Sequence, residues 1–299
     1  MDKELHSMEG KILKGIGGFY YVQDGTGAVY ECKAKGRFRL EGIKPMPGDN
    51  VRFSPPSDTE GGSILEIAPR KNALVRPMVA NIDLLLIIVS AGKPKPDLGL
   101  VDKLLLYAAQ GGIPAAIGVN KLDTDRGMAE EIQREYRGSG APVYCFSARE
   151  GRGIADVAEL LRGRCVCLAG QSAVGKSSLL NALSPGLCLE TGGLSKKTAR
   201  GRHTTRFSEL LPLPGLGATV IDTPGFSILE CLETQPEELK EYYPEFAGSV
   251  CRFDGCLHWK EPGCGVKDRA AAGEIDENRY TRYTILLEEL LERRKHQYD

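Results

Sequence analysis

The feature that most constrains this chain is the stretch Gly170, Gln171, Ser172, Ala173, Val174, Gly175, Lys176, Ser177 and Ser178, where glycine, four residues, glycine, lysine and serine follow one another. Such a run fits a tight turn between a strand and a helix. The apolar residues 165–169 before it read as a buried strand, and residues 178–183 after it read as a helix. Glycines let backbone N–H groups turn onto phosphate oxygens, and the helix N-terminus adds its dipole. Lys176 would reach the terminal phosphates and Ser177 would ligate Mg2+, so the stretch predicts a nucleoside triphosphate site.

A chain of 299 residues has room for about two domains, with a third small module possible. Its formal net charge of −1 argues against indiscriminate nucleic-acid binding and leaves local basic patches open. The start, Met1-Asp-Lys-Glu-Leu-His6, lacks a basic segment followed by an apolar core. No apolar run approaches the roughly 18 residues of a membrane helix. The expectation is a cytoplasmic protein with no membrane partner. Nine scattered cysteines then read as free thiols or metal ligands rather than disulfides.

Over residues 10–69 short alternating runs (19–22, 28–32, 50–53) are punctuated by turn signals such as Asp24-Gly25 and Pro47-Gly-Asp49. They predict a small β-barrel over residues 1–72, of which the five-stranded oligonucleotide-binding (OB) fold is the common instance. Lys33, Lys35, Arg37 and Arg39 cluster around Phe38 within it. Two readings stand side by side: a groove in which phosphates meet the cations and a base stacks on Phe38, or a solvated turn with Phe38 in the core.

At residues 80–89 the texture changes to a continuous apolar run, the signature of a strand covered on both faces. A second domain therefore begins near residue 73 and runs to 232. Helices over 100–110, 129–136 and 154–161 alternate with strands over 114–119, 142–146 and 165–169, giving an α/β layered sheet. Ligands of such sheets sit at the carboxyl ends of the strands. There stand Asn120-Lys121-Leu-Asp123, then Ser147-Ala148, and, after a strand over 218–221, Asp222-Thr-Pro-Gly225. Asp222 would reach Mg2+, and the Gly225 N–H would meet the γ-phosphate.

The base follows from Asp123. A carboxylate can accept from both the ring N–H and the exocyclic amine of guanine, whereas adenine offers no such pair and would leave the acid unpaired. Lys121 would lie along the base, Asn120 would tie the base loop to the phosphate loop, and the Ser147-Ala148 backbone would meet the base oxygen. The predicted ligands are GTP and GDP. The motifs resemble those of P-loop GTPases of the translational type, but in those proteins the phosphate loop comes first and the base motif late. Here Asn120, Asp123 and Ser147 precede Gly170, so the chain looks circularly permuted, as close native termini allow. The segment after Gly225 then leads straight into the C-terminal region, where an order change with nucleotide state is expected.

Residues 194–206 carry Lys196, Lys197, Arg200, Arg202 and Arg206 and no acid. Their place is that of the loop whose threonine ligates Mg2+, with Thr204 or Thr205 the candidate. RNA phosphates or plain solvent would suit its charge. GTPases commonly orient the attacking water with a glutamine just after the Asp-x-x-Gly motif, and here that position is Phe226, which cannot polarise water. His203 is the candidate substitute beside Lys176 in catalysis, against the alternative of a phosphate-contacting or surface histidine.

Beyond residue 233 Cys251, Cys256, His258 and Cys264 supply three thiolates and an imidazole, a closed tetrahedral set of the kind structural zinc prefers. One Zn2+ per chain is expected, with Trp259 beside it as a shield. Residues 277–296 show apolar positions at helical spacing, so residues 233–299 are predicted to form a mostly helical zinc-binding domain. Cys32, Cys145, Cys165, Cys167, Cys188 and Cys231 read as ordinary thiols.

A barrel, a permuted GTPase and a Cys/His module in this order closely resemble the ribosome small-subunit-dependent GTPase A family of bacteria. The resemblance spans nearly the whole chain and rests on Gly201-Arg-His-Thr-Thr205, Asp222-Thr-Pro-Gly225 and the Cys251, Cys256, His258, Cys264 set. Two departures are visible: Ala173 stands where a glycine is frequent and Arg206 where a third threonine is frequent, which leaves open which threonine meets magnesium. The resemblance implies a late maturation factor that binds the small ribosomal subunit and its rRNA, hydrolyses GTP slowly alone and faster on the subunit, and then leaves; a monomer is expected. The alternative is a non-enzymatic RNA-binding protein that holds a guanine nucleotide as a structural or regulatory ligand.

Overall fold

The structure is a computed structural model that describes residues 7–75, 77–187, 209–222 and 234–296. Strands β1 (Met8–Ile16), β2 (Phe19–Asp24), β3 (Val29–Ala34), β4 (Asn50–Ser54) and β5 (Gly62–Ile67) form a closed barrel in the order β1-β2-β3-β5-β4. Alternation along them turns Ile12, Val22, Cys32, Val51, Phe53 and Ile64 inward. Phe38 joins that core from the short helix α1 (Gly36–Leu40), only 4% exposed, while Lys33, Lys35, Arg37 and Arg39 stay in solvent. Of the two readings of this segment the core reading holds, because a ring that plugs the barrel cannot also offer a face to a base.

A hairpin of β6 (Ala73–Leu74) and β7 (Val79–Ala80) leads into a sheet of β8 (Leu84–Ser90), β9 (Ala115–Asn120), β10 (Val143–Cys145), β11 (Cys165–Ala169), β12 (Leu210–Leu213) and β13 (Ala218–Asp222). Its order is β10-β9-β8-β11-β13-β12, with β12 alone antiparallel. Every residue of β8 and β11 is buried, which accounts for their unbroken apolar sequence. The run predicted over 80–89 is interrupted, because Asn81 adopts φ 56° and turns the chain between β7 and β8. The edge strand is β12 at Leu210–Leu213, where Pro212 is tolerated because its missing N–H faces outward from the sheet edge.

Helices α2 (Leu98–Gln110), α3 (Arg126–Glu135), α4 (Ile154–Leu161) and α5 (Lys176–Leu183) cover the sheet. α2 and α3 start earlier than their apolar periodicity suggests, because Asp97 and Asp125 cap them by accepting from the N–H groups of Leu100 and Met128. β11 runs between β8 and β13, so a loop in the middle of the chain emerges at the middle of the sheet.

The C-terminal region, with α6 (Gly265–Ala271) and α7 (Glu277–His296), packs on the α2 and α3 side: Leu104, Tyr107, Ile132 and Tyr136 share one core with Tyr243, Phe246, Tyr283 and Leu287. Tyr283 meets the Phe246 ring edge-on at 4.8 Å. On the other side the barrel is joined to the sheet by short polar links. Asn81 Nδ2 donates to the Gly48 carbonyl at 3.0 Å, Asn72 brackets Ile82 with two bonds of 2.8 Å, and Lys14 on β1 pairs with Glu209 just before β12 at 2.7 Å. Gly48, at φ 90°, must lack a side chain, since a Cβ there would collide with the Ala80 carbonyl.

Candidate functional site

The phosphate loop leaves β11 at Gly170 and enters α5 after Gly175. Both glycines have positive φ, 129° and 102°, and a Cβ on Gly170 would strike the Ile88 carbonyl while one on Gly175 would strike Asn120 Nδ2. The close approach of neighbouring strands thus requires glycine at both ends of the loop. Lys176 Nζ donates to the carbonyls of Gly170 and Gln171 at 2.8 and 2.9 Å, which holds its ammonium across the loop. Ser177 and Ser178 lie on the first turn of α5, and Val174 is fully buried beneath it. Ser172 and Ala173 form the crest. Ala173 sits at φ 63°, the left-handed region that favours glycine, so its backbone carries strain that a glycine would not.

Asn120 joins the three strand-end loops. It is 2% exposed, donates from Nδ2 to the Val174 carbonyl at 2.9 Å, and accepts on Oδ1 from the N–H groups of Lys121 (2.7 Å) and Ala148 (3.1 Å). The expected tie between base loop and phosphate loop is therefore present, and the same side chain also fixes the Ser147-Ala148 loop. Lys121, at φ 66°, extends its Nζ to the Ala173 carbonyl at 2.9 Å and to the Lys93 carbonyl. Asp123 accepts from the Ser147 hydroxyl at 2.6 Å. That bond, set against a smaller desolvation, holds its carboxyl below the usual carboxylate range, with Arg149 and Arg152 adding to the effect. The ionised acid that guanine recognition requires is thus the favoured form.

One contributor has no place among the motifs: the loop over residues 90–97 at the carboxyl end of β8. Its Lys93 carbonyl receives Lys121, and its Gly92 lies so close to the Thr124 side chain that a Cβ would displace it. The rule that ligands gather at strand ends would have pointed to it. Asp222 ends β13, its backbone in register with Leu168. Gly225, Phe226, His203, Thr204 and Thr205 lie outside the described residues, as do Cys188 and Cys231. Among the described cysteines, Cys32, Cys145, Cys165 and Cys167 form no disulfide.

Cys251, Cys256, His258 and Cys264 come together, every donor atom within 4.8 Å of the others. Cys251 and Cys264 Sγ are 3.9 Å apart, and each lies 3.5 and 3.4 Å from His258 Nδ1. A tetrahedral zinc with bonds of about 2.3 Å to sulfur and about 2.05 Å to nitrogen has edges of about 3.8 and 3.5 Å, so the set fits that ion. Surrounding bonds orient it: Tyr280 and Tyr283 hydroxyls donate to the carbonyls of His258 (2.8 Å) and Leu257 (2.6 Å). The ring packed on His258 is Phe246, at 5.6 Å, while Trp259 turns its Nε1 to Glu288 at 3.1 Å. Among the described residues no helix is long and apolar enough to cross a membrane.

Residues 67–232 match the model of the RsgA GTPase family, and residues 9–63 match that of the RsgA N-terminal domain. A protein of Ruminiclostridium cellulolyticum named small ribosomal subunit biogenesis GTPase RsgA is 46% identical over 285 residues, covering 94% of this chain and 93% of that relative. The crystal structure of YjeQ from Thermotoga maritima superposes with a TM-score of 0.83 at 37% identity, covering 95% of this chain and 99% of that one. That of YloQ, described as a circularly permuted GTPase, gives 0.76 at 35% identity over 98% of both chains.

Proposed function

This chain belongs to the RsgA GTPase family, and from that premise we propose that the loops around Asn120 and Gly170 bind GTP with Mg2+ and hydrolyse it as part of small-subunit maturation. It is a GTP-hydrolysing enzyme of ribosome biogenesis, which sets aside the alternative of a non-enzymatic RNA-binding protein. The observation that carries the site assignment is the Asn120 hub, because one buried amide connects the phosphate loop, Lys121 and Ala148. In the proposed arrangement the loop N–H groups from Gly170 to Ser178 and Lys176 hold the phosphates. Asp123 accepts from the guanine ring N–H and amine, Lys121 lies along the base, and the Ser147-Ala148 backbone meets its oxygen. Ser177, Asp222 and Thr204 or Thr205 complete the Mg2+ shell, and the Gly225 N–H meets the γ-phosphate. His203 orients the water in place of the glutamine that Phe226 replaces.

Cys251, Cys256, His258 and Cys264 are assigned one structural Zn2+, whose supply is charge neutralisation and cross-linking of the C-terminal segment. The name of the relatives, small ribosomal subunit biogenesis GTPase, supports a cytoplasmic protein that engages the small subunit and its rRNA, with the exposed Lys33, Lys35, Arg37 and Arg39 of the barrel suited to phosphates; we take it to act as a monomer. GTP hydrolysis measured with and without purified small subunits tests the proposal. Turnover should rise on the subunit, and His203→Ala should abolish that rise while sparing GDP binding. A rate indifferent to the subunit would overturn the stimulated cycle.

A further inference from the structure

Helix α7 grips two helices at once, and both begin at the loops that frame the base. Asp102, on α2, is almost fully buried; it accepts from Arg279 Nη1 on one oxygen and from Arg282 Nε on the other, the latter at 2.7 Å. Arg282 Nη1 also donates to Glu135 on α3 at 2.8 Å, and Asn278 Nδ2 reaches the other Glu135 oxygen at 3.0 Å. Arg279 Nε meets Glu245 at 2.7 Å, and the Tyr136 hydroxyl donates to Asp102 at 2.6 Å. A single planar guanidinium, that of Arg282, therefore bridges α2 and α3.

Followed to their N-termini, the two helices converge on the nucleotide edge. α2 starts from the 90–97 loop, whose Lys93 carbonyl receives Lys121, and α3 starts from Asp125, two residues after Asp123. Stability is a weak reason for such a lock, since buried ion pairs seldom outdo apolar packing. Among the described residues this one also leaves Glu245 Oε2, Arg282 Nη2 and the Tyr243 hydroxyl without hydrogen-bond partners. What the forked geometry does supply is fixed position: it sets the rotation and height of both helices relative to α7.

We infer that Arg279 and Arg282 are positioning residues of guanine recognition, which through Asp102 and Glu135 hold the loops of Lys121 and Asp123 in register and so couple the C-terminal module to the base. This rests on the guanine reading above. Coupling is reciprocal, so a base bound at Asp123 tightens α7, and an intact α7 tightens the base.

The test uses the full chain with its metal. Hydrogen exchange of α7 is compared with GDP, with inorganic pyrophosphate and without ligand: GDP should protect α7 amides and pyrophosphate should not. Affinities for GDP and for IDP, which lacks the exocyclic amine, are then measured in Arg282→Lys and in Lys103→Ala, the latter removing the half-exposed Lys103–Glu289 pair between α2 and α7. Arg282→Lys should lower the GDP:IDP preference by about fivefold or more, while Lys103→Ala leaves it unchanged. General loosening would weaken both ligands equally and keep the ratio. If Arg282→Lys does not fold, Glu135→Gln, which keeps the side-chain shape, takes its place. An unchanged ratio in a folded variant, or α7 protection indifferent to GDP, overturns the inference. Failure of the parent to bind GDP would instead overturn the guanine reading itself.

Discussion

At the barrel junction the sheet is held by backbone groups and neutral amides, Asn72, Asn81 and the bare backbone of Gly48, with the Asp49–Arg70 pair and the solvent-accessible Lys14–Glu209 pair beside them. At the C-terminal junction the shared apolar core is joined by a cluster of five charged side chains, Asp102, Glu135, Glu245, Arg279 and Arg282, most of them shut away from water. Arg70 keeps a quarter of its side chain exposed, against 3% for Arg279. Water can therefore reach Arg70 when Asp49 is lost, although Asp49 itself is fully buried, and cannot reach Arg279 when Asp102 is lost. Burial works against the Arg279 cation, yet Asp102 and Glu245 raise its pKa further, so it remains charged at any accessible pH. The two junctions differ in tolerance: one is a rigid splice, the other a lock that fails sharply when one member is lost.

The sharpest way to break that contrast is to remove the metal. Chelation, or Cys264→Ala, should melt the C-terminal module, since structural zinc contributes on the order of 10 kcal/mol. Trp259, the sole tryptophan, reports it by fluorescence. A barrel that unfolded in the same transition would show the junctions to be equivalent. Next, Asp102→Ala should cost about 3–5 kcal/mol in urea unfolding because it strands a buried guanidinium, whereas Asp49→Ala should cost about 1.5–3 kcal/mol. Equal losses would erase the difference. A smaller effect sharpens the base-reading end. The Asp123 carboxyl titrates below its ordinary value, so its ionised form is present above that value and is lost only as pH falls through the lowered one. Without the Ser147 hydroxyl the titration moves upward, and GDP affinity in Ser147→Ala should begin to fall at a higher pH than in the parent. The smallest change is Ala173→Gly, which should relieve the φ 63° strain and stabilise the chain by up to about 1 kcal/mol, read from the thermal midpoint.

Much of the site was legible because its chemistry is written in short contiguous motifs. The glycines of the phosphate loop, the Asn120-to-Asp123 element and the Cys/His spacing each report a local geometry, and their inverted order along the chain announces the permutation. Phe38 was ambiguous for a physical reason: a ring flanked by cations looks the same in sequence whether it faces solvent or plugs a barrel. The interruption at Asn81 had a signal, since asparagine adopts a positive φ more readily than other non-glycine residues, but the apolar residues on either side of it dominate the pattern. The 90–97 loop escaped notice because it contributes a carbonyl, which every residue has.

By itself, the sequence determined which groups are available and in what order: a phosphate loop, an acid of the kind that can pair with guanine, a Cys/His set suited to zinc and strands apolar enough to form one sheet. Only the tertiary structure decided who meets whom across long separations. Asp102 and Arg279 stand 177 residues apart and carry no periodicity that would pair them, and Asn120 reaches Val174 across 54. Local propensity is read from neighbours in the chain, whereas a buried charge finds its partner only after the apolar faces of α2, α3 and α7 have packed and water has been excluded from between them.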